Sequence, residues 1–217
     1  MNIAISRAGM IAAAAVITPQ TDARYYLNGI LIEKHAKKGV IIVTTDGHRM
    51  LACHDEHAEF SDDMPVIVRF EKEVLAMARK PANLDKPLFI TSNDGDKSVS
   101  VDIGGITFCN GGEVLAGNFP DWRRVCPKQT GDSAAACYDA AYLADWSPVS
   151  RYLAINGNVQ AITIRAEDKA SSAAVFFYGV DYAFGVIMPM RDHPDAMTSI
   201  PAWASSANSW EALDICT

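Results

Sequence analysis

The chain has 217 residues, 49% of them hydrophobic and 21% charged, with a formal net charge of −7. That length suits one large domain or one and a half to two small ones, with enough apolar mass for a core. The charge balance excludes a uniformly basic nucleic-acid glove, so any DNA contact has to come from a local positive surface.

Residues 1–5 alternate apolar and polar and predict a short strand. Ser6 is positioned to cap a helix over about residues 7–18, ended by Pro19. Its apolar stretch, 9–17, has the composition of a short signal-peptide core but is far too short to span a membrane. Alanine favours the helix, so an amphipathic or buried helix is the reading. Residues 28–54 read as two strands joined by a polar turn at Lys37-Lys38-Gly39. Their second half holds Thr44-Thr45-Asp46-Gly47-His48-Arg49-Met50 between two apolar runs, 40–43 and 50–53. Asp-Gly marks a tight turn because glycine accepts positive φ at little cost. On spacing alone this is either a hairpin with a solvated turn or a turn presenting His48 and Arg49 beside an apolar cleft.

Residues 55–63 are acidic and polar and predict a loop, and 65–70 predict a strand. A short helix over 71–80 puts Val74, Leu75 and Ala78 on one face and stops at Pro81. Strands at 87–91 and 98–103 flank a turn at Asn93-Asp94-Gly95-Asp96, and 106–109 is a further strand. The order strand, helix, strands therefore occurs twice, an internal repeat of about 60 residues. After the polar stretch 127–132 it starts a third time. A helix over 138–154, which Pro148 must kink or split, precedes strands at 159–164, 173–178 and 182–190. Three αβββ-like units imply an α+β fold of sheets with helices on one face. Residues 192–217 read as an irregular tail, with 209–213 its one candidate helix.

Catalytic signals are sparse. Cys53-His54-Asp55-Glu56-His57 has metal-ligand residue types, but they are nearly contiguous and lack the spacing of a helical zinc site. They read as a polar loop, with a hydrolase using His54 and His57 as the enzyme alternative. Asp46 and His48 have no supporting nucleophile motif. No phosphate-binding glycine loop occurs, so no enzyme, metal or cofactor is expected. Cys53, Cys109, Cys126, Cys137 and Cys216 are odd in number and lack CxxC spacing, which reads as reduced thiols in a cytoplasmic protein.

Four blocks occur in order: Arg24-Tyr25-Tyr26-Leu27-Asn28-Gly29, Thr45-Asp46-Gly47-His48-Arg49, Asn118-Phe119-Pro120-Asp121-Trp122-Arg123-Arg124-Val125 and Met188-Pro189-Met190-Arg191. Together they resemble the bacterial DNA polymerase III beta subunit, the sliding clamp. The resemblance likens residues 1–127 to the clamp's middle domain and 128–191 to the second half of its third, leaving 192–217 as a tail. It implies a shortened clamp, of the kind a phage or mobile element encodes, with about three αβββ half-domains of the DNA-clamp fold. It implies DNA replication as the process, and a ring around duplex DNA, indifferent to sequence, that tethers a polymerase and meets a clamp loader through short linear peptides. Helices line the hole and sheets close edge to edge around it. Bacterial clamps assemble twelve such half-domains, six per chain in a dimer. With three per chain, four chains supply twelve, so a homotetramer is expected. A three-unit chain breaks the alternation of junctions within and between domains. Near-equivalent junctions, a dimer of dimers, another chain number and pairing with a host clamp subunit all stay open.

The resemblance also carries a partner-peptide cleft. Its matching positions are Leu27, Thr45, Gly47, His48, Arg49, Met50, Pro120, Arg124 and Val125, then Val186, Ile187, Met188, Pro189, Met190 and Arg191, with Tyr142 as the helix residue that gates it. Methionines are pliable and suit varied peptides, and arginines suit a partner's carboxylates and carbonyls. Arg24, Tyr25 and Tyr26 match a loop that touches DNA. Arg7, Lys72, Arg79, Lys80 and Arg151 are candidates to face phosphates from the helices. The first helix has one arginine and many alanines, a poor lining. That favours an alternative in which a clamp mimic sequesters clamp-binding proteins without encircling DNA. Trp210-Glu211-Ala212-Leu213-Asp214-Ile215 distantly resembles the peptides such clefts accept, so the tail either folds back into a cleft or is a free end.

Overall fold

The computed structural model describes residues 1–18, 23–93, 95–127, 136–154 and 160–191. Pro19, the stretch 128–132, Val159 and the whole 192–217 tail, with its candidate helix and peptide-like segment, lie outside the described residues. The elements run β1 (Asn2–Ile5), α1 (Ala8–Ile17), β2 (Ile30–Lys34), β3 (Val40–Thr45), β4 (Arg49–Asp55), β5 (Glu59–Phe60), β6 (Val66–Phe70), α2 (Lys72–Ala78) and β7 (Leu88–Thr91). They continue with β8 (Ser98–Ile103), β9 (Ile106–Leu115), α3 (Ala140–Ala144), α4 (Trp146–Leu153), β10 (Ile162–Ala166), β11 (Ala173–Phe177) and β12 (Ala183–Ile187). All described strands join one antiparallel ladder, in the order β10-β11-β12-β4-β3-β2-β6-β9-β8-β7-β1-β5.

The unit of strand, helix and three strands is present twice before residue 116, and the third unit adds its last strand, β12, to the outer edge of β4. Helix α1 lies over β2, β3 and β4 and packs between α2 and α4. Of its ten residues only Ala15 and Val16 escape full burial, as an all-apolar helix requires. Gly9 permits the crossing with α4, because a Cβ there would stand 2.5 Å from the Tyr152 carbonyl oxygen.

Several local expectations need correction. The two strands expected over 28–54 are three, β2, β3 and β4, because the Asp46-Gly47 turn makes a second reversal after the one at Gly39. Ser6 does not cap α1: its N–H and hydroxyl donate to the Asp55 carboxylate at 2.7 and 2.8 Å. The first helical N–H groups donate instead to the carbonyls of Lys86 and Leu84, at 2.8 and 2.9 Å. Strand β9 runs six residues past the expected end at 109, through Asn110-Gly111-Gly112. Those glycines make no turn. A Cβ at Gly112 would lie 2.4 Å from the Arg69 carbonyl oxygen and one at Gly111 would lie 2.7 Å from Val101 Cγ2, so they serve close strand approach. The expected loop 55–63 contains the short strand β5, which pairs with β1. The third helix splits at Asp145 rather than at Pro148. Proline falls in the first turn of α4, where its missing N–H needs no partner. The last expected strand stops at Ile187, three residues short of 190.

Cys53 is buried while Cys109 and Cys137 are exposed. Burial pushes the Cys53 thiol up to about 12, so almost no thiolate forms there at neutral pH. Alkylation of the native protein at pH 8 is expected to mark Cys109 and Cys137 at least ~100-fold faster than Cys53. Peptide mass spectrometry checks this, and equal labelling would contradict the buried position.

Candidate functional site

The turn between β3 and β4 is built by Asp46. Its Oδ1 accepts the N–H groups of His48 and Arg49, both at 2.9 Å. Thr45 Oγ1 accepts the Gly47 N–H at 3.0 Å and donates to the Arg49 carbonyl at 2.8 Å. Gly47 sits at φ +87, in the left-handed region that favours glycine. This network holds the turn rigidly and projects His48 and Arg49 from it.

Arg49 is the hub of the turn's far side. Its Nη2 lies 2.6 Å from Asp145 Oδ2, at the α3–α4 break, and its Nε is 3.2 Å from Asp46 Oδ2. The Nε contact is an ion pair by distance without hydrogen-bond alignment, and Nη1 is buried with no hydrogen-bond partner among the described residues. The guanidinium covers the Tyr142 ring at 4.5 Å, and the His48 ring stacks on the same tyrosine with centroids 5.4 Å apart. Tyr142 therefore stands directly beside the turn.

The cleft opens next to these groups, with a volume of about 240 Å³. Leu27, from the 3-10 turn Tyr25–Asn28, lines its base with Met50 and Val186. All three are 1% exposed. Met50 and Val186 are cross-strand partners on β4 and β12 and belong to a small apolar cluster separate from the main core. Pro120, Asp121, Trp122 and Val125 form one side, the last two on the 3-10 turn Trp122–Val125. Met188, 40% exposed, forms the other, and its N–H donates to the His48 carbonyl at 2.9 Å, continuing the β4–β12 ladder. A larger opening of about 400 Å³ lies between α1 and the β6–α2 corner. Of the four sequence blocks it draws on Asn28 alone.

Ten residues expected in the cleft line it together: Leu27, Thr45, Gly47, His48, Arg49, Met50, Pro120, Val125, Val186 and Met188. Tyr142 reaches it through His48 and Arg49. Ile187 faces the main core and is 0% exposed. Arg124 points outward, its side chain 83% exposed and 3.6 Å from Asp121. Pro189, Met190 and Arg191 line a separate hollow with Lys169 and Ala170. Sequence reasoning missed Asp121 and Trp122, although both stand inside the Asn118 to Val125 block. It assigned Arg24 to DNA alone, whereas Arg24 lines the cleft and donates to the Asp46 carbonyl at 3.2 Å.

Among the other expected DNA-contacting residues, Tyr25 is 54% exposed and packs edge-on against Tyr26. Lys72, Lys80 and Arg151 are exposed and Arg79 is half-buried. Arg7 is drawn inward, donating to Tyr182 Oη at 3.0 Å and lying 3.9 Å over its ring. The oxygens of Asp55 are occupied by Ser6 and by the His57 N–H. Among the described residues no three His, Cys, Asp or Glu side chains converge on a metal position, and no helix is long and apolar enough to cross a membrane.

Repeated units of strand, helix and three strands in one antiparallel ladder, with a cleft where the third unit joins the first, define a DNA-clamp fold. The family model for the DNA polymerase III beta subunit, central domain, matches residues 6–121, just over half of the chain. The chain belongs to that family. The beta sliding clamp of Escherichia coli K12 is 35% identical over 107 residues, which is 49% of this chain and 28% of that protein. That of Pseudomonas putida is 32% identical over 109 residues, 50% of this chain and again 28% of its relative. Among solved structures, the sliding clamp of Pseudomonas aeruginosa superposes with a TM-score of 0.64 at 22% identity, covering 88% of this chain and 67% of that one. The Borrelia burgdorferi DNA polymerase III subunit beta gives 0.65 at 15% identity, covering 89% and 65%. Likeness at these identities establishes the fold.

Proposed function

We propose that this chain is a shortened sliding clamp that encircles duplex DNA and tethers a polymerase through the Leu27–Met50–Val186 cleft. The convergence of three distant segments on one apolar cleft carries the reading, because a short peptide docks by burying apolar anchors in a preformed groove. The clamp loader would use the same cleft, and the chain would act without catalysis, in the cytoplasm. The chain divides, on this reading, into a clamp domain over 1–127, a half-domain over 128–191 and the 192–217 tail. Four chains close the ring. Tyr25, Lys72, Lys80 and Arg151 are the groups offered to phosphates, by contacts indifferent to sequence.

A second reading has one observation in its favour. Helix α1 has no exposed basic face and Arg7 is held on Tyr182, so few helix cations remain for a DNA-lined hole. A clamp mimic would bind partner peptides and never encircle DNA. Retention on a nicked circular duplex separates the two. A clamp, loaded by a clamp loader, is expected to stay on the circle at ~0.3 M salt and to run off once the circle is cut. A protein that binds a clamp-binding peptide yet leaves the intact circle as readily as the cut one is the mimic.

A further inference from the structure

We propose that the outer edge of residues 106–110, the first half of β9, is a two-fold interface at which a second copy of this chain adds its own 106–110 antiparallel to the first. The pairing stands on strand topology, and it rests on the ring reading above only for the claim that this junction helps to close a ring.

Strand β9 has two different halves. Ile106, Thr107 and Phe108 pair with Ile103, Asp102 and Val101 of β8. Pairing with β6 on the other side begins only at Gly112. From Gly112 the strand lies between β8 and β6, whereas no described strand lies outside residues 106–110. The segment reads Ile-Thr-Phe-Cys-Asn, with no charge and no proline, in a chain that is 21% charged. Ile106 is 50% exposed on it. Proteins that keep such an edge solvated protect it with lysine, proline or a bulge on the free side. The irregularity against β8 lies where Cys109, Asn110 and Gly111 stand opposite Ser100 alone, beyond the regular run 106–108.

The chain itself shows what covers such an edge. Strand β4 ends the first unit as β9 ends the second, and β12 ends the third. The outer edge of β4 carries β12 in antiparallel register, from Cys53 opposite Ala183 to Arg49 opposite Ile187. Last strand pairs with last strand. β9 is the one last strand without such a neighbour among the described residues, and its match is the β9 of another copy. Antiparallel pairing of a strand with its own copy is isologous, so the junction carries a two-fold axis. A ring built with it is a set of face-to-face dimers and not a head-to-tail cycle.

The test is the absolute mass of the full chain by native mass spectrometry, for wild type and for Thr107→Lys/Cys109→Lys, which sets like charges opposite each other across the axis. The mass is expected to halve, from four chains to two or from two to one, with the circular dichroism spectrum and melting temperature retained. A fall from four chains to single chains would mean that every junction uses this edge head-to-tail, and would overturn the proposal. So would an unchanged mass, or a wild type that is a single chain at tens of micromolar. A second measurement does not depend on the charged variant. With Cys126, Cys137 and Cys216 replaced by serine, the two Cys109 side chains stand about 8 Å apart in a centred register. A bismaleimide of that span is expected to give a covalent dimer and nothing larger, and its absence overturns the pairing. Loss of DNA retention with the cross-linked dimer intact sinks the ring alone. A tetramer without the cross-link keeps the ring and sinks this interface.

Discussion

Met188→Asp is expected to weaken binding of a labelled clamp-binding peptide about thirtyfold or more, which corresponds to about 2 kcal/mol. Met188 is the only residue of the 188–191 block that lines the cleft, and it faces Val125 and Trp122 across an apolar base. A carboxylate there has to be desolvated beside an incoming apolar anchor. The fold should not change, because the Met188 side chain is 40% exposed and its structural bond is made by backbone. Arg124→Ala is the control. Its side chain is 83% exposed and points away, so a change of no more than about threefold is expected. Fluorescence anisotropy reads both. Unchanged affinity in Met188→Asp removes the cleft assignment, whatever Arg124 does.

Trp146→Ala carries the largest expected cost in stability, about 3–5 kcal/mol. Trp146 is 0% exposed and packs 5.8 Å from Phe177. It also fills the hollow that Gly185 leaves on β12, where a Cβ would stand 2.6 Å from the indole ring. Its Nε1 has no hydrogen-bond partner among the described residues, so the loss is one of volume. Trp146→Phe should therefore recover about half of it. At roughly 2–4 °C per kcal/mol for a chain of this size, the alanine variant should melt some ten degrees lower. Hydrogen exchange should report the opening at β10, β11 and β12 before the rest of the sheet. A loss below ~1 kcal/mol would mean that Trp146 does not hold the third unit in place. Because β12 carries Val186 and Met188, peptide binding should fail together with the third unit's protection.

The parts of the fold that were legible in sequence are those where one local rule decides the outcome. The apolar run 40–43 and the alternating 98–103 had no alternative to strand, and the alanine-rich segment had none to helix. Rules that compete locally gave the misses. Asn110-Gly111-Gly112 has the composition of a turn, and only the nearness of Val101 and the Arg69 carbonyl reveals why glycine is needed in mid-strand. Ser6 has the chemistry of a cap, but a buried carboxylate 49 residues away takes its hydroxyl. The site followed the same division. The blocks that gather the cleft could be read as blocks, yet the direction of each side chain within them could not. Alternation on β12 turns Val186 to the cleft and Ile187 to the core. Trp122 and Arg124 are two residues apart on one 3-10 turn and end on opposite sides of usefulness to a peptide.

The ladder between β4 and β12 has a consequence in time. It joins residues 49–53 to 183–187, a long sequence separation whose closure comes late in folding. A ribosome adding about 5–20 residues per second needs on the order of ten seconds to make the second strand after the first. During that interval the turn at Asp46 can form while Val186 and Met188 do not yet exist. The peptide cleft thus cannot form before residue 188 is made, and a nascent chain cannot recruit a partner through it before β12 has joined the sheet.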